Sequence, residues 1–372
     1  MTLLHHHHNT DYQDQADKAV AFARQKINDI IANGSARAQQ TLRMLSEEIP
    51  TDIIMDGEKI SWEVRDQPYA KIGDREFTLH NHALQQVCSK AGMPITYWRS
   101  LEKKGDDWSR KLMEHNLNQL YSHGDGRYLI RCVNDQVRGF LSDSYKRYDS
   151  RKLIESFVQA VQRHKAVPVN GYYMDTKVAI KAMLPQTFEP VKNEVLGIGL
   201  CLQTSDFGDG AFSISMFAMR LWCTNFAMSE NALRKVHLGS KLPDDLSLSA
   251  RTYELDTQTL ASMTNDIVDV CLTDKVDNLL EAVKEASEQE VSWNQVNNFL
   301  KKKLNKKEVE HVVTAMKSPD TYNMPEGQTA WRLSNALSWC AQSLEDESKS
   351  LDYMKMAGEA IKMGSRSKNL LS

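Results

Sequence analysis

The residues best suited to chemistry crowd between positions 127 and 152. Arg127, Arg131, Arg138, Lys146, Arg147, Arg151 and Lys152 face only Asp135, Asp143 and Asp149 as opposing charges. The whole chain carries a formal net charge of -3, so this positive balance is local. Tyr128, Phe140, Tyr145 and Tyr148 are interleaved with the cations. Single-stranded nucleic acid calls for such a mixture, because cations track phosphates while ring faces stack on bases. Further along, Lys177 and Lys181 share one face of an alternating strand pattern and extend the same surface. The candidate nucleic-acid contacts are therefore Arg127, Arg131, Arg138, Tyr145, Lys146, Arg147, Tyr148, Arg151, Lys177 and Lys181. The competing reading is a solvated strand face whose long side chains snorkel and pair locally.

Other constellations carry weaker chemistry. Tyr145 and Tyr148 have the nucleophile needed for strand cleavage, but the assembled activating groups are not evident, and a turn into a capped helix explains them. The stretch ALQQVCSKAGMPITYWRSLEKK has helix-turn-helix spacing. Gly92 would make its turn, Val87 and Cys88 would pack inside, and Arg99, Lys103 and Lys104 would lie near the reading helix. Asp206 and Asp209 flank glycines, an arrangement that suits either magnesium or a hairpin loop. Cys223 and His237 are too far apart in sequence to argue a catalytic pair, and a buried thiol is the plainer account. Lys301, Lys302, Lys303, Lys306 and Lys307 make either a phosphate-contacting surface or a solvated helix face.

Composition narrows the field. A polyanion binder that works through its overall field would be more basic than this chain. No GxxxxGK[ST] loop is present, which argues against a P-loop ATPase. The six cysteines, Cys88, Cys132, Cys201, Cys223, Cys271 and Cys340, form no close pair of the kind that zinc sites use. They read as scattered buried thiols of a reducing compartment. No metal or cofactor is expected. The start MTLLHHHHNTDYQ lacks the pattern of a secretion signal, and no apolar run has the length of a membrane span. His5 to His8 are set aside, since imidazoles in a tail take up metal without function. The expected setting is cytoplasmic, with no membrane partner.

These residues need elements to hold them. Residues 12 to 48 carry apolar residues at helical spacing, with a break expected at Asn33-Gly34-Ser35. TDIIMDGEKISWEV reads as a hairpin around Asp56-Gly57. YLIRCV and QVRGFLS flank Asn134-Asp135 as strand, turn, strand. Asp149 or Ser150 caps a helix over 151 to 164, with Leu153, Ile154, Phe157, Val158 and Val161 as its buried stripe. TKVAIKAML alternates as a strand, and VLGIGLCLQT and AFSISMFAMRLW flank Phe207-Gly208-Asp209-Gly210 as a second hairpin. From about 228 the chain reads as helices.

Three ordered stretches also resemble a known family. They are LHNHALQQVCSKAGMPITYW followed by LNQLY; LIRCVNDQVRGFLSDSYKRYDS; and FSISMFAMRLWCTNFA with RKVHLG, then TAWRLSNALSW. Together they are similar to the phage/plasmid-like protein family known as domain of unknown function 932. The resemblance implies carriage on phages or plasmids and action inside the host cell. It transfers no catalytic role to any residue.

The sequence thus predicts an α+β fold. A helical arm over 1–50 precedes an α/β core over 51–225 built on a central antiparallel sheet with packed helices. A helical C-terminal region over 226–372 follows. The expected function is a non-enzymatic, homo-oligomeric nucleic-acid-binding protein of a phage or mobile element. Its partner would be single-stranded DNA or another nucleic acid, bound or annealed in replication or recombination. The rivals are a counter-defence protein that binds a host protein, and a divalent-dependent nuclease using Asp206 and Asp209.

Overall fold

A computed structural model describes residues 5–192, 194–221, 225–235, 249–322 and 324–363. The chain opens with α1 (His5–Glu47), then β1 (Thr51–Asp56), a single 3-10 turn (Gly57–Lys59), β2 (Ser61–Val64), β3 (Pro68–Ile72) and β4 (Arg75–Leu79). Helices α2 (Asn81–Lys90), α3 (Ile95–Glu102) and α4 (Asp107–Ser122) follow. Next come β5 (Arg127–Val133), β6 (Gln136–Ser142), α5 (Ser150–Arg163), β7 (Val167–Met174), β8 (Lys177–Val191), β9 (Glu194–Thr204), β10 (Phe212–Arg220) and β11 (Asn225–Lys235). The remainder is helical: α6 (Ala250–Thr273), α7 (Val276–Glu288), α8 (Trp293–Leu300), α9 (Lys306–Lys317), α10 (Pro319–Tyr322), α11 (Ala330–Gln342) and α12 (Glu347–Ile361).

The α+β class holds, but the strands form two sheets where one was expected. The first has the order β1-β5-β6-β4-β3-β2. The Asp56-Gly57 hairpin does not form: β1 pairs with β5 and β2 with β3. Consecutive strands thus sit at opposite edges of a six-stranded sheet. Laid flat, those edges would be about 24 Å apart at ~4.8 Å per strand. The connection from Asp56 to Ser61 reaches at most ~18 Å even when fully extended. The sheet must therefore curl. Its β2 edge is closed by a helix: Trp62 N donates to Asn118 Oδ1 at 2.9 Å, and Val64 N to Glu114 Oε2 at 3.2 Å, both on α4. Side chains thereby satisfy an edge that would otherwise invite another strand. Trp62, Phe77, Trp98, Leu117 and Phe140 fill the space inside the curl.

The second sheet, β11-β10-β9-β8-β7, is antiparallel throughout. The β9–β10 hairpin forms as the sequence predicts, as does the β5–β6 hairpin, where Asn134 adopts φ 54 in the turn. Asp149 caps α5 by accepting from Arg151 N. Of the expected α5 stripe, Leu153, Ile154, Phe157 and Val161 are buried, and Val158 is half-buried. Helix α11 is buried on nearly every side, as a helix at the centre of a large core must be. Arg220 of β10 makes a twofold ion pair with Glu194 of β9, at 2.7 Å on each arm, and Trp331 Nε1 of α11 donates to the same carboxylate at 3.0 Å.

Two further boundaries move. The strand β11 occupies 225–235, so sheet structure crosses the expected 225/226 edge. Helix α1 runs unbroken through Asn33-Gly34-Ser35. Gly34 marks a close approach: a Cβ there would lie 1.5 Å from the Val169 carbonyl oxygen of β7. Opposite it, a Cβ on Gly171 would meet Thr41 Oγ1 at 2.5 Å. The glycines let helix and strand backbones nearly touch. The later turns of α1 are thus laid along β7, with Ile27, Ala38 and Leu45 buried. The side chains of Ala16, Val20, Ala23 and His5 to His8 lie outside the described residues, as do Cys223 and His237.

Candidate functional site

The structure disperses the proposed basic face. Arg127 is exposed at the start of β5, across from Asp56. Arg138, 7% exposed, donates from Nη1 to Glu48, just past the end of α1, and to the Asp175 carbonyl at 3.3 Å. Lys177 pairs with Asp209 at 3.0 Å and donates to Ser348 Oγ at 3.2 Å. Lys181 is wholly buried under α12, with Nζ 3.1 Å from Met354 Sδ and 5.0 Å from the Tyr172 ring centre. Alternation correctly put the two lysines on one face of β8. It could not show that helices cover both faces. Arg138 and Lys181 therefore leave the set of open phosphate contacts, and Lys177, half-buried and paired with Asp209, lies outside the group gathered at the start of α5. Tyr145 is buried, and burial pushes its hydroxyl pKa up. Burial does the same to Tyr148. A tyrosine nucleophile needs a shift in the opposite direction.

A smaller group does converge. Arg131, Arg147, Tyr148 and Arg151 line one cleft of about 280 Å³ together with Lys152. Lys146 stands next to it in the chain, 3.6 Å from Asp256. The positions follow from the local fold. Arg131 projects from β5; Arg147 and Tyr148 lie on the short link from β6 to α5; Arg151 and Lys152 occupy the first turn of α5. The far wall is α6, which contributes Tyr253, Glu254 and Thr257. The floor is Asp206, on the loop after β9, and the near edge is Asp52 of β1.

The polar contacts are specific. Arg131 Nε donates to Asp52 Oδ1 at 2.8 Å, and its Nη1 donates to the Asp206 carbonyl at 2.6 Å. Arg147 Nη1 donates to Asp52 Oδ2 at 2.8 Å, while its guanidinium lies 4.5 Å above the Tyr253 ring centre. One carboxylate thus bridges two arginines, and one arginine stacks on an aromatic face. Arg151 grips Asp149 at 3.0 and 3.2 Å, leaving it half-buried at the cleft wall. Lys152 is exposed. Desolvation pushes the Asp206 carboxyl above its ordinary range. Arg131 pulls the other way, as does the Ser150 hydroxyl, which donates to that carboxyl at 2.8 Å.

The remaining candidates fall elsewhere. Helices α2 and α3 form around Gly92, which adopts φ +68, and Val87 and Cys88 are buried as expected. Arg99 is held by Glu102 and Asn81, while Lys103 and Lys104 are exposed, with Lys104 above the Trp108 ring. Asp206 and Asp209 serve different partners: Asp209 accepts from Thr176 Oγ1 at 2.5 Å and pairs with Lys177. Among the described residues, no group of three or more His, Cys, Asp or Glu side chains is placed to hold a metal ion. Lys301, Lys302, Lys306 and Lys307 are exposed, and Lys303 pairs with Glu359 at 2.6 Å. The five described cysteines are free and buried. No described helix is long and apolar enough to cross a membrane.

Sequence reasoning missed Asp52 and Tyr253. Asp52 sits in an unremarkable strand pattern, and Tyr253 lies about a hundred residues beyond the cationic segment. No local signal joins them to it. Comparisons with protein-family models, with curated proteins and with solved structures found no match.

Proposed function

We propose that this protein binds single-stranded nucleic acid, and that the cleft at the start of α5 is where the strand is held. The phage or plasmid setting implied by the family resemblance remains part of this reading, as does self-association into an oligomer. One observation carries the proposal: Arg131, Arg147, Arg151 and Lys152 meet Tyr148 and Tyr253 around one open cleft. Cations there would neutralise phosphates and release counterions. Tyr253 is 9% exposed and stacks on the Arg147 guanidinium, so its part is to hold that cation at the cleft wall.

The cleft replaces the strand face as the contact surface. Arg147, Arg151 and Lys152 are its accessible members, and Arg131 supports them from below. The test is fluorescence anisotropy with a labelled oligo-dT and the variant R147Q/R151Q/K152Q. The variant is expected to bind at least tenfold more weakly, a loss of about 1.4 kcal/mol or more, while keeping its thermal midpoint. Equal affinity of variant and wild type would remove the cleft from the account.

A further inference from the structure

Asp52 is the only carboxylate in the cleft, among the described contacts, that touches two of its arginines. It receives Arg131 Nε and Arg147 Nη1, each at 2.8 Å, one on each oxygen. This is the bridging geometry that guanidinium groups give to a phosphate. Asp52 is also directly opposite Arg131 in the β1–β5 register, on a strand that pairs on one side only. Its side chain keeps a quarter of its surface in solvent. The other cleft carboxylates are engaged differently. Asp149 caps α5 and holds Arg151, Asp206 accepts from Ser150, and Glu254 pairs with Arg251 at 3.0 Å.

Resting on the reading that the cleft holds a nucleic-acid strand, we propose that Asp52 occupies a phosphate seat and is displaced when the strand enters. The carboxylate keeps the two arginines pre-oriented and neutralised in the empty protein. A backbone phosphate then takes its place, and Asp52 turns toward solvent. Binding of short or weakly charged ligands is thereby opposed, because each must compete with a resident anion.

Asp52→Asn keeps the shape and removes the charge. It is expected to bind oligo-dT about tenfold more tightly, the size of one charged hydrogen bond that no longer has to be broken when the strand enters. Its log affinity should fall with log salt about as steeply as that of the wild type, because the same phosphate is contacted in both complexes. Glu254→Gln, which alters a cleft carboxylate that touches neither arginine, should change affinity less than Asp52→Asn. Carbon-13 NMR of the wild-type Asp52 carboxyl gives a measurement independent of any variant: its resonance should move on adding oligo-dT. Unchanged affinity in Asp52→Asn, or an unmoved resonance when the oligonucleotide binds, overturns the role of Asp52 alone. Absence of binding by both proteins overturns the cleft reading and this proposal with it.

Discussion

Asp206 shows how a single side chain trades stability for position. Desolvation raises its carboxyl pKa, although Arg131 and the Ser150 hydroxyl oppose the shift. The folded pKa therefore lies above the unfolded one. Between those two values the folded protein binds more protons, so stability falls as pH rises through the window. Above it, the full cost of holding a desolvated carboxylate remains. Asn at this position still accepts from Ser150 Oγ but carries no charge. Asp206→Asn should thus be more stable than the wild type at neutral pH, with the gain shrinking as the pH falls toward the ordinary carboxylate range. Urea denaturation at pH 7.5 and at pH 4.5 checks this. A gain of equal size at both pH values, or a loss at neutral pH, would contradict it. Neither the desolvation of the half-buried Asp206 nor the burial of Arg131 was legible in the sequence, because their contact joins segments 75 residues apart.

At the scale of elements, the most exacting contact is that of α1 with β7. Replacing Gly34 by Ala gains about 1 kcal/mol of helix propensity. The new methyl group would meet the Val169 carbonyl at 1.5 Å, which is backbone and has little room to yield. Overpacking of this kind costs about 1–3 kcal/mol. The clash wins, and Gly34→Ala should lower the thermal midpoint, as calorimetry would show; an unchanged or higher midpoint would refute the contact. The same position explains why the sequence suggested a broken helix. Glycine reads as a breaker when local propensity alone is weighed, but here it is selected by a neighbouring strand. Hairpins with short turns, such as β5–β6 and β9–β10, were legible because both partners lie within one stretch of sequence. The β1–β5 pairing was not: it joins Thr51 to Cys132, and the Asp56-Gly57 turn, which reads locally as a hairpin, instead sends β2 to the opposite edge.

Across the whole molecule, the cleft exists because the two sheets meet. The loop after β9 reaches the curled sheet and its helix α2: the Phe207 carbonyl accepts from Gln86 Nε2 of α2 at 3.0 Å, and the Asp206 carbonyl accepts from Arg131 of β5. The link after α1 joins the same seam through Glu48, whose pKa is lowered: burial raises it, but the hydrogen bonds from Arg138 and Tyr173 and the charge of Arg138 together outweigh that. The sequence showed that cations and rings cluster between 127 and 152. It did not show that the fold divides them, placing Arg138 in the seam and directing Arg131, Arg147 and Arg151 to the cleft. The central claim is that this divided set still holds a strand by its phosphates. Its most direct test is the affinity of the wild type for oligo-dT measured across a range of salt concentrations. The account predicts a log–log slope of about -2, as expected when three cations each neutralise a phosphate of a single strand. A slope near zero, or no measurable binding at low salt, would contradict it.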